Sequence, residues 1–207
     1  MRIYIIRHGE TALNAKGVMQ GWIDEPLNDN GRLLATITGQ GMQDITFDAC
    51  ISSPLNRATE TAEIILRESG NKIGLNTDNR IKEISFGTRE KTTLSEKEAK
   101  EFFTNPFIFG RFPGGESVQD VCERTQAFLK ELMAYGDEGN YLVSTHGCAL
   151  RAMTNWLFED PTNYWRGHVP YNCCVNIIEV HGGKAEIIAE DKIYYDPKYC
   201  VDRYMQR

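Results

Sequence analysis

Strands that alternate with helices predict an α/β fold: a largely parallel sheet covered on both faces, with a late antiparallel hairpin. Three observations carry that prediction. Short β-branched or apolar runs recur at 3–6, 49–52, 73–77 and 141–143. Amphipathic stretches of helical spacing stand between them. A Gly-Gly turn near residue 182 joins two further strand-like runs. The chain has 207 residues, 41% hydrophobic and 25% charged. That length suits one domain, and the composition excludes a disordered, collagen-like or coiled-coil chain.

Each element has a local reason. Residues 3–6 read as a buried strand ending in the turn Arg7-His8-Gly9. Residues 28–41 read as a helix, with Leu33, Leu34 and Ile37 on one face and Gly39 weakening its end. After the strand at 49–52, Ser53 suits a helix N-cap and Pro54 the first helical position. Leu55, Ala58, Ala62, Ile65 and Leu66 continue that helix, and Gly70 stops it. A further strand is expected at 73–77.

Residues 88–116 differ in texture. Ser95-Glu96-Lys97-Glu98 is a capping box. Phe102, Phe103, Phe107, Phe109 and Phe112 follow, up to Pro113-Gly114-Gly115. The stretch is expected to be a small cap inserted in a single domain spanning 1–207. Ser117 starts a helix lined by Val118, Val121, Cys122, Thr125, Leu129 and Leu132, with Gly136 ending it. The strand at 141–143 runs into Ser144-Thr145-His146-Gly147, and a helix through Leu150, Met153 and Leu157 follows. Strands at 175–180 and 185–189 are joined by His181-Gly182-Gly183-Lys184, adding an edge strand to the sheet. Two copies could pair along that edge, as a homodimer.

The charge balance narrows the partners. There are 23 Lys+Arg against 29 Asp+Glu, a net charge of -6. A broad basic face is excluded, so no nucleic-acid partner is expected. No apolar run approaches the roughly 18 residues of a membrane span, and no signal-peptide pattern is present. The expectation is a cytoplasmic protein that does not engage a membrane. The six cysteines show no C-x-x-C or Cys/His ligand spacing. Cys50 and Cys173 fall in apolar strand-like windows and Cys122 in a helical one, so reduced, mostly buried thiols and no metal site are expected.

The polar motifs share one architectural position. Arg7-His8-Gly9-Glu10, Ser52-Ser53-Pro54-Leu55-Asn56-Arg57 and Ser144-Thr145-His146-Gly147 each follow a strand. Groups just past the carboxyl ends of strands meet in a common crevice in open α/β sheets. Arg7, His8, Arg57 and His146 would repel one another there unless an anion sits among them. Arg57 falls in the first turn of its helix, where the macrodipole disfavours a cation but suits a bound phosphate. Taken alone, Arg57 reads as a solvated charge with Glu60 as its i+3 partner. His168 and His181 read as satisfied turn residues, whereas His8 and His146 are each followed by a glycine that lets backbone approach a ligand. A neutral, oriented histidine can attack a phosphoryl group, with arginines stabilising its oxygens.

These residues carry a resemblance. Arg7-His8-Gly9-Glu10-Thr11 with Asn14, Gln20-Gly21-Trp22-Ile23-Asp24-Glu25-Pro26-Leu27, and the segment from Ser52 to Ala62 hold the family's order and spacing. So do Ile81-Lys82-Glu83-Ile84-Ser85-Phe86-Gly87, Gly115-Glu116-Ser117 and Ser144-Thr145-His146-Gly147. Together they resemble the histidine phosphatase superfamily, the phosphoglycerate mutase-like proteins. The resemblance implies a three-layer α/β/α sandwich. It implies His8 as the phosphorylated nucleophile and Glu83 as the proton donor to the leaving oxygen. It implies Arg7, Arg57 and His146 as the phosphate pocket, with Asn14, Gln20 and Gly147 as further phosphate contacts.

The reaction so implied is hydrolysis of a small phosphorylated metabolite, with no metal and no cofactor. A cofactor-dependent phosphoglycerate mutase is the alternative within the family. Such mutases carry Glu-Arg-x-Tyr-Gly at the acid and an arginine pair after it. Here Glu83 is followed by Ile84-Ser85-Phe86-Gly87, and residues 90–112 hold only Arg111, which favours hydrolysis. A catalytically silent phospholigand-binding module would be expected to have lost His8, Glu83 or His146, and all three are present.

Overall fold

The computed structural model describes residues 1–201 and residue 204. Six strands form one sheet: β1 (Arg2–Arg7), β2 (Ala49–Ser52), β3 (Leu75–Thr77), β4 (Asn140–Thr145), β5 (Val175–His181) and β6 (Lys184–Lys192). Their order is β3-β2-β4-β1-β5-β6. The pairs β2–β3, β2–β4 and β1–β4 are parallel, whereas β5 pairs antiparallel with β1 and β6 with β5. The late hairpin is present as expected, with β5 beside β1 and β6 forming the edge of the sheet. Seven helices accompany the sheet among the described residues: α1 (Ala12–Ala15), α2 (Asp29–Gln40), α3 (Asn56–Glu68), α4 (Glu96–Thr104), α5 (Pro106–Phe109), α6 (Val118–Met133) and α7 (Gly147–Thr154).

The alternation of side chains along β1 builds the layers. Ile3 and Ile5, with Val143 and Ile178, pack against Leu129 and Leu132 of α6 and Leu150 and Met153 of α7. Tyr4 and Ile6 face the other way, with Cys50 and Leu142, onto Ala62, Ile65 and Leu66 of α3. Helix α2 lies on α3 through Leu34, Ala35 and Ile64. Each fully buried isoleucine contributes about 1.5–3 kcal/mol, so both faces must be covered for the central strands to persist. The result is the α/β/α sandwich that the resemblance implied.

A separate apolar cluster joins residues 84–112 to this frame. Phe102 and Phe112 pack with Val118, Val121 and Cys122 of α6, Cys148, Ala149 and Ala152 of α7, and Trp165. Helix α4 opens with the expected capping box: Ser95 receives the Glu98 N–H, and the Glu98 carboxylate receives the Ser95 N–H.

Four local expectations are corrected. Helix α3 starts at Asn56, with Leu55 as N-cap and no side-chain cap. Ser53 and Pro54 lie outside it, because the Ser53 N–H donates to Ser144 O and its hydroxyl stands 2.8 Å from His146 Nε2. Leu33 is 45% exposed, because α2 meets its neighbours along Leu34 and Ala35. Cys173 sits in a turn before β5 at φ +58°, its N–H bonded to Arg7 O. Helix α6 stops at Met133 with Ala134 as C-cap, ahead of Gly136. Cys50, Cys122, Cys148, Cys173, Cys174 and Cys200 are all unpaired thiols. No helix among the described residues is long and apolar enough to cross a membrane.

Candidate active site

The four parallel strands end side by side, and each delivers a polar residue to the same place. Arg7 is the last residue of β1, in register with Thr145 of β4, and His8 and His146 follow directly. Ser52 of β2 is in register with Ser144, and the chain then turns into α3 with Arg57 in its first turn. Past β3, a 3-10 turn at Asn79–Ile81 is tied to β4 by Thr145 Oγ1 donating to Ile81 O at 2.8 Å, and Glu83 comes two residues later. Gly9 is needed in this crowding: a Cβ there would lie 2.6 Å from Gly31 O.

His8 is buried, and its ring is oriented by its neighbours. Nδ1 lies 2.6 Å from Gly9 O. A carbonyl only accepts, so Nδ1 carries the proton and Nε2 the lone pair. Arg57 Nε donates to that Nε2 at 3.2 Å. Burial, then the charges of Arg57 and Arg7, hold the His8 pKa well below the ordinary histidine value. His146 is lowered in the same way, by burial first and Arg57 next. Both imidazoles are therefore neutral at pH 7. Their ring centroids are 5.1 Å apart, edge to face.

Arg57 has no exposed surface. Beyond His8, its Nη1 donates to Ile23 O at 2.7 Å and its Nη2 to Gly21 O at 2.8 Å. Burial draws its pKa down to about 10 against the pull of Glu83 and Asp24, which leaves it charged at neutral pH. Glu60 is not its partner: that carboxylate accepts from Arg32 Nε at 2.6 Å and from the Leu27 N–H. Arg7 Nη1 donates to Pro170 O. Arg7 Nε and His146 Nδ1 are buried with no hydrogen-bond partner among the described residues. Two such orphans next to His8 are what a bound anion would satisfy. Gly147 leaves room for this, since a Cβ on it would stand 3.4 Å from Arg7 Nε.

The Glu83 carboxylate accepts from Ile84 N and Ala149 N through Oε1 (3.0 and 3.1 Å) and from Cys148 N through Oε2 (3.3 Å). Asn14 Oδ1 accepts from Thr11 N, and its Nδ2 donates to the Tyr204 hydroxyl at 2.9 Å. Gln20 Oε1 accepts from Thr11 Oγ1 at 2.9 Å. Arg7, His8, Asn14, Gln20, Arg57, Glu83 and Gly147 line one cavity of about 750 Å³, counting its open mouth. His146 touches His8 but is not part of that lining. The remaining wall is largely apolar: Met19, Phe86, Leu94, Phe102, Phe103 and Trp165 among others. Among the described residues, Arg7 and Arg57 are the cations of the lining. His168 stacks on Tyr171 at 4.6 Å, and exposed His181 stands 3.6 Å from Asp137.

Sequence reasoning missed several residues here. Ser53 read as a cap, and nothing local signals its bond to His146 across 93 residues. Thr61 Oγ1 accepts the Gly9 N–H at 2.9 Å and donates to Arg57 O, from one turn along the helix face that carries Arg57. Trp165 and Tyr204 enter the lining from segments without a motif. Among the described residues, no group of three or more His, Cys, Asp or Glu is placed to hold a metal ion.

Neutral imidazoles and buried guanidiniums at adjacent strand ends are the groups that a phosphate-binding site calls for. The chain belongs to the histidine phosphatase superfamily (branch 1), whose family model matches residues 3–191. It is 32% identical over 184 residues to a protein of Salmonella choleraesuis named "Probable phosphoglycerate mutase GpmB", covering 86% of this chain and 85% of that one. Bacillus stearothermophilus YhfR superposes with a TM-score of 0.85 at 31% identity, over 93% of this chain and 97% of the other. A phosphoserine phosphatase variant of Entamoeba histolytica, in complex with phosphoserine, superposes with a TM-score of 0.77 at 26% identity, over 91% and 95%. The family comprises phosphatases and mutases, and this chain is an enzyme of that group.

Proposed function

We propose that the protein is a metal-independent phosphomonoesterase that works through a phosphohistidine on His8. The observation that carries this reading is His8 itself: neutral, proton on Nδ1, and Nε2 bonded to a fully buried arginine. In the first step His8 Nε2 attacks phosphorus, the ester P–O bond breaks, and the Glu83 carboxyl gives its proton to the leaving oxygen. In the second step water attacks the phosphorus and passes a proton to the Glu83 carboxylate. The P–N bond breaks, and inorganic phosphate leaves a neutral His8. Arg7, Arg57 and His146 stabilise the phosphoryl oxygens, and the two guanidiniums supply charge that a metal supplies elsewhere. Asn14, Gln20 and Gly147 complete the phosphate contacts.

Hydrolysis is favoured over mutase chemistry by the cavity wall. A mutase must retain a second phosphate, which calls for further cations. Beyond Arg7 and Arg57, the described lining offers apolar surface from Phe86, Leu94, Phe102, Phe103 and Trp165. Residues 88–116 thus act as a cap over an uncharged, apolar leaving group, within one domain. The substrate is a small phosphomonoester of that kind.

The test compares purified protein with its His8→Ala variant on p-nitrophenyl phosphate. Turnover is expected to vanish in the variant and to survive EDTA in the parent. Appreciable activity without His8 would remove the nucleophile assignment. Loss with EDTA and recovery with Mg²⁺ would remove the metal-free one. With 3-phosphoglycerate, no isomer exchange is expected; exchange would establish the mutase reading.

A further inference from the structure

The Gly115-Glu116-Ser117 motif has no part in the chemistry above, yet it faces the segment that carries Glu83. Arg124, on α6, joins the two. All its donor nitrogens are engaged. Nε and Nη2 form a paired contact with Glu116 at 2.8 and 2.9 Å. Nη1 donates to Arg80 O at 2.7 Å and to Lys82 O at 2.6 Å, and Nη2 also donates to Glu83 O at 2.9 Å. Glu116 holds the same segment from its other side: Oε2 accepts the Ser85 N–H, and the Glu116 N–H donates to Ser85 O, both at 2.9 Å. Both side chains are mostly buried, at 17% and 16% exposed. Gly115 permits the approach, since a Cβ there would lie 2.8 Å from Gly87 N.

We propose that Arg124, oriented by Glu116, is a positioning residue for the reaction: it fixes the backbone of residues 80–85 and thereby sets where the Glu83 carboxyl stands in the cavity. This rests on Glu83 being the acid of the proposed hydrolysis. The physical argument is geometric. The planar guanidinium reaches three carbonyls and one carboxylate at once, which a lysine ammonium cannot reproduce. Such a fork holds a backbone whose own chain is irregular between the 3-10 turn and Gly87. A small displacement of an acid costs rate in proportion to how much the leaving oxygen needs its proton.

The readout is therefore leaving-group dependence, which a general loss of stability does not move. kcat/KM is measured for p-nitrophenyl phosphate, whose leaving oxygen departs readily unprotonated, and for an alkyl phosphate, whose oxygen needs the proton. In Arg124→Lys the ratio of the two is expected to rise at least about tenfold, part of the 10²–10⁴ that a positioned acid supplies. Glu116→Gln, a milder change that keeps one oxygen acceptor, should raise it less and serves where Arg124→Lys does not fold. In a Glu83→Gln background the Arg124 substitution should raise the ratio no further. An unchanged ratio in folded Arg124→Lys or in Glu116→Gln, beside a raised one in Glu83→Gln, overturns the positioning role alone. An unchanged ratio in Glu83→Gln itself overturns the acid assignment and this proposal with it.

Discussion

A guanidinium with no exposed surface needs its donors engaged, and Arg57 places them on His8 Nε2, Ile23 O and Gly21 O. Lysine in its place would leave carbonyls of the 21–23 turn unpaired. Arg57→Lys should therefore lower stability by about 2–4 kcal/mol. It should also cut kcat/KM about 100-fold or more, as for loss of one preorganised oxyanion donor. Urea denaturation and steady-state kinetics on the same preparation check both, and a stable variant with parental kinetics would contradict the geometry. The motif around Arg57 was readable from the sequence because three strand ends carried like residues. Its internal wiring was not. Ser53 scored as a cap on local grounds, while its hydroxyl serves His146 Nε2 at 2.8 Å. That partner lies far along the chain, beyond any local window. Ser53→Ala, which frees a buried ring nitrogen, should cost about 1–3 kcal/mol.

At the scale of elements, what repeats locally was readable and what depends on a neighbour was not. The capping box at Ser95 needs only four consecutive residues and is present, and the helix start expected at Ser117 is present as well, its N-cap closed by Asp120. The stripe Val118, Val121, Cys122, Thr125, Leu129 and Leu132 of α6 is buried as its spacing requires. In α2, by contrast, periodicity grouped Leu33 with Leu34, and only the position of α3 decides that Leu33 faces solvent. The five phenylalanines between 102 and 112 read as a lid, and the structure divides them. Phe102 and Phe112 are buried, Phe102 and Phe103 line the cavity, and Phe107 is 38% exposed. Phe102 is the keystone of that cluster, edge-on to Phe103, Phe109, Phe112 and Trp165 with centroids 5.3–5.5 Å away. Phe102→Ala should cost about 3–5 kcal/mol. Because the cluster spans α4, α6 and α7, the loss should appear in global unfolding and not as cap melting alone. Hydrogen exchange of α6 amides separates those outcomes.

For the whole molecule, a net charge of -6 coexists with a buried cationic centre, and that contrast governs how stability follows pH. His8 and His146 are both held well below the ordinary histidine pKa, chiefly by burial and then by Arg57. The unfolded chain takes up their protons near pH 6.5, whereas the folded protein resists them to a lower pH. More protons are then bound unfolded than folded, so stability rises with pH through this window. The histidine contribution is complete above about pH 6.5 and is lost as pH falls from there toward the folded values. Its slope approaches about 1.4 kcal/mol per pH unit for each histidine. Asp78, Asp120 and Glu98 have lowered pKa values from their hydroxyl, backbone and arginine partners. Their contribution is present above the ordinary carboxylate range and disappears only at more acid pH, so the two windows separate. Urea unfolding at pH 7.5, 6 and 5 should show stability falling across the lower interval, with about half that slope in His146→Asn. Inorganic phosphate should stabilise the folded state by binding it, and should flatten the slope because its negative charge lets the buried imidazoles accept protons. Stability constant between pH 7.5 and 5 without phosphate would mean that the imidazoles are not held neutral by burial, and the neutral His8 nucleophile would lose its basis.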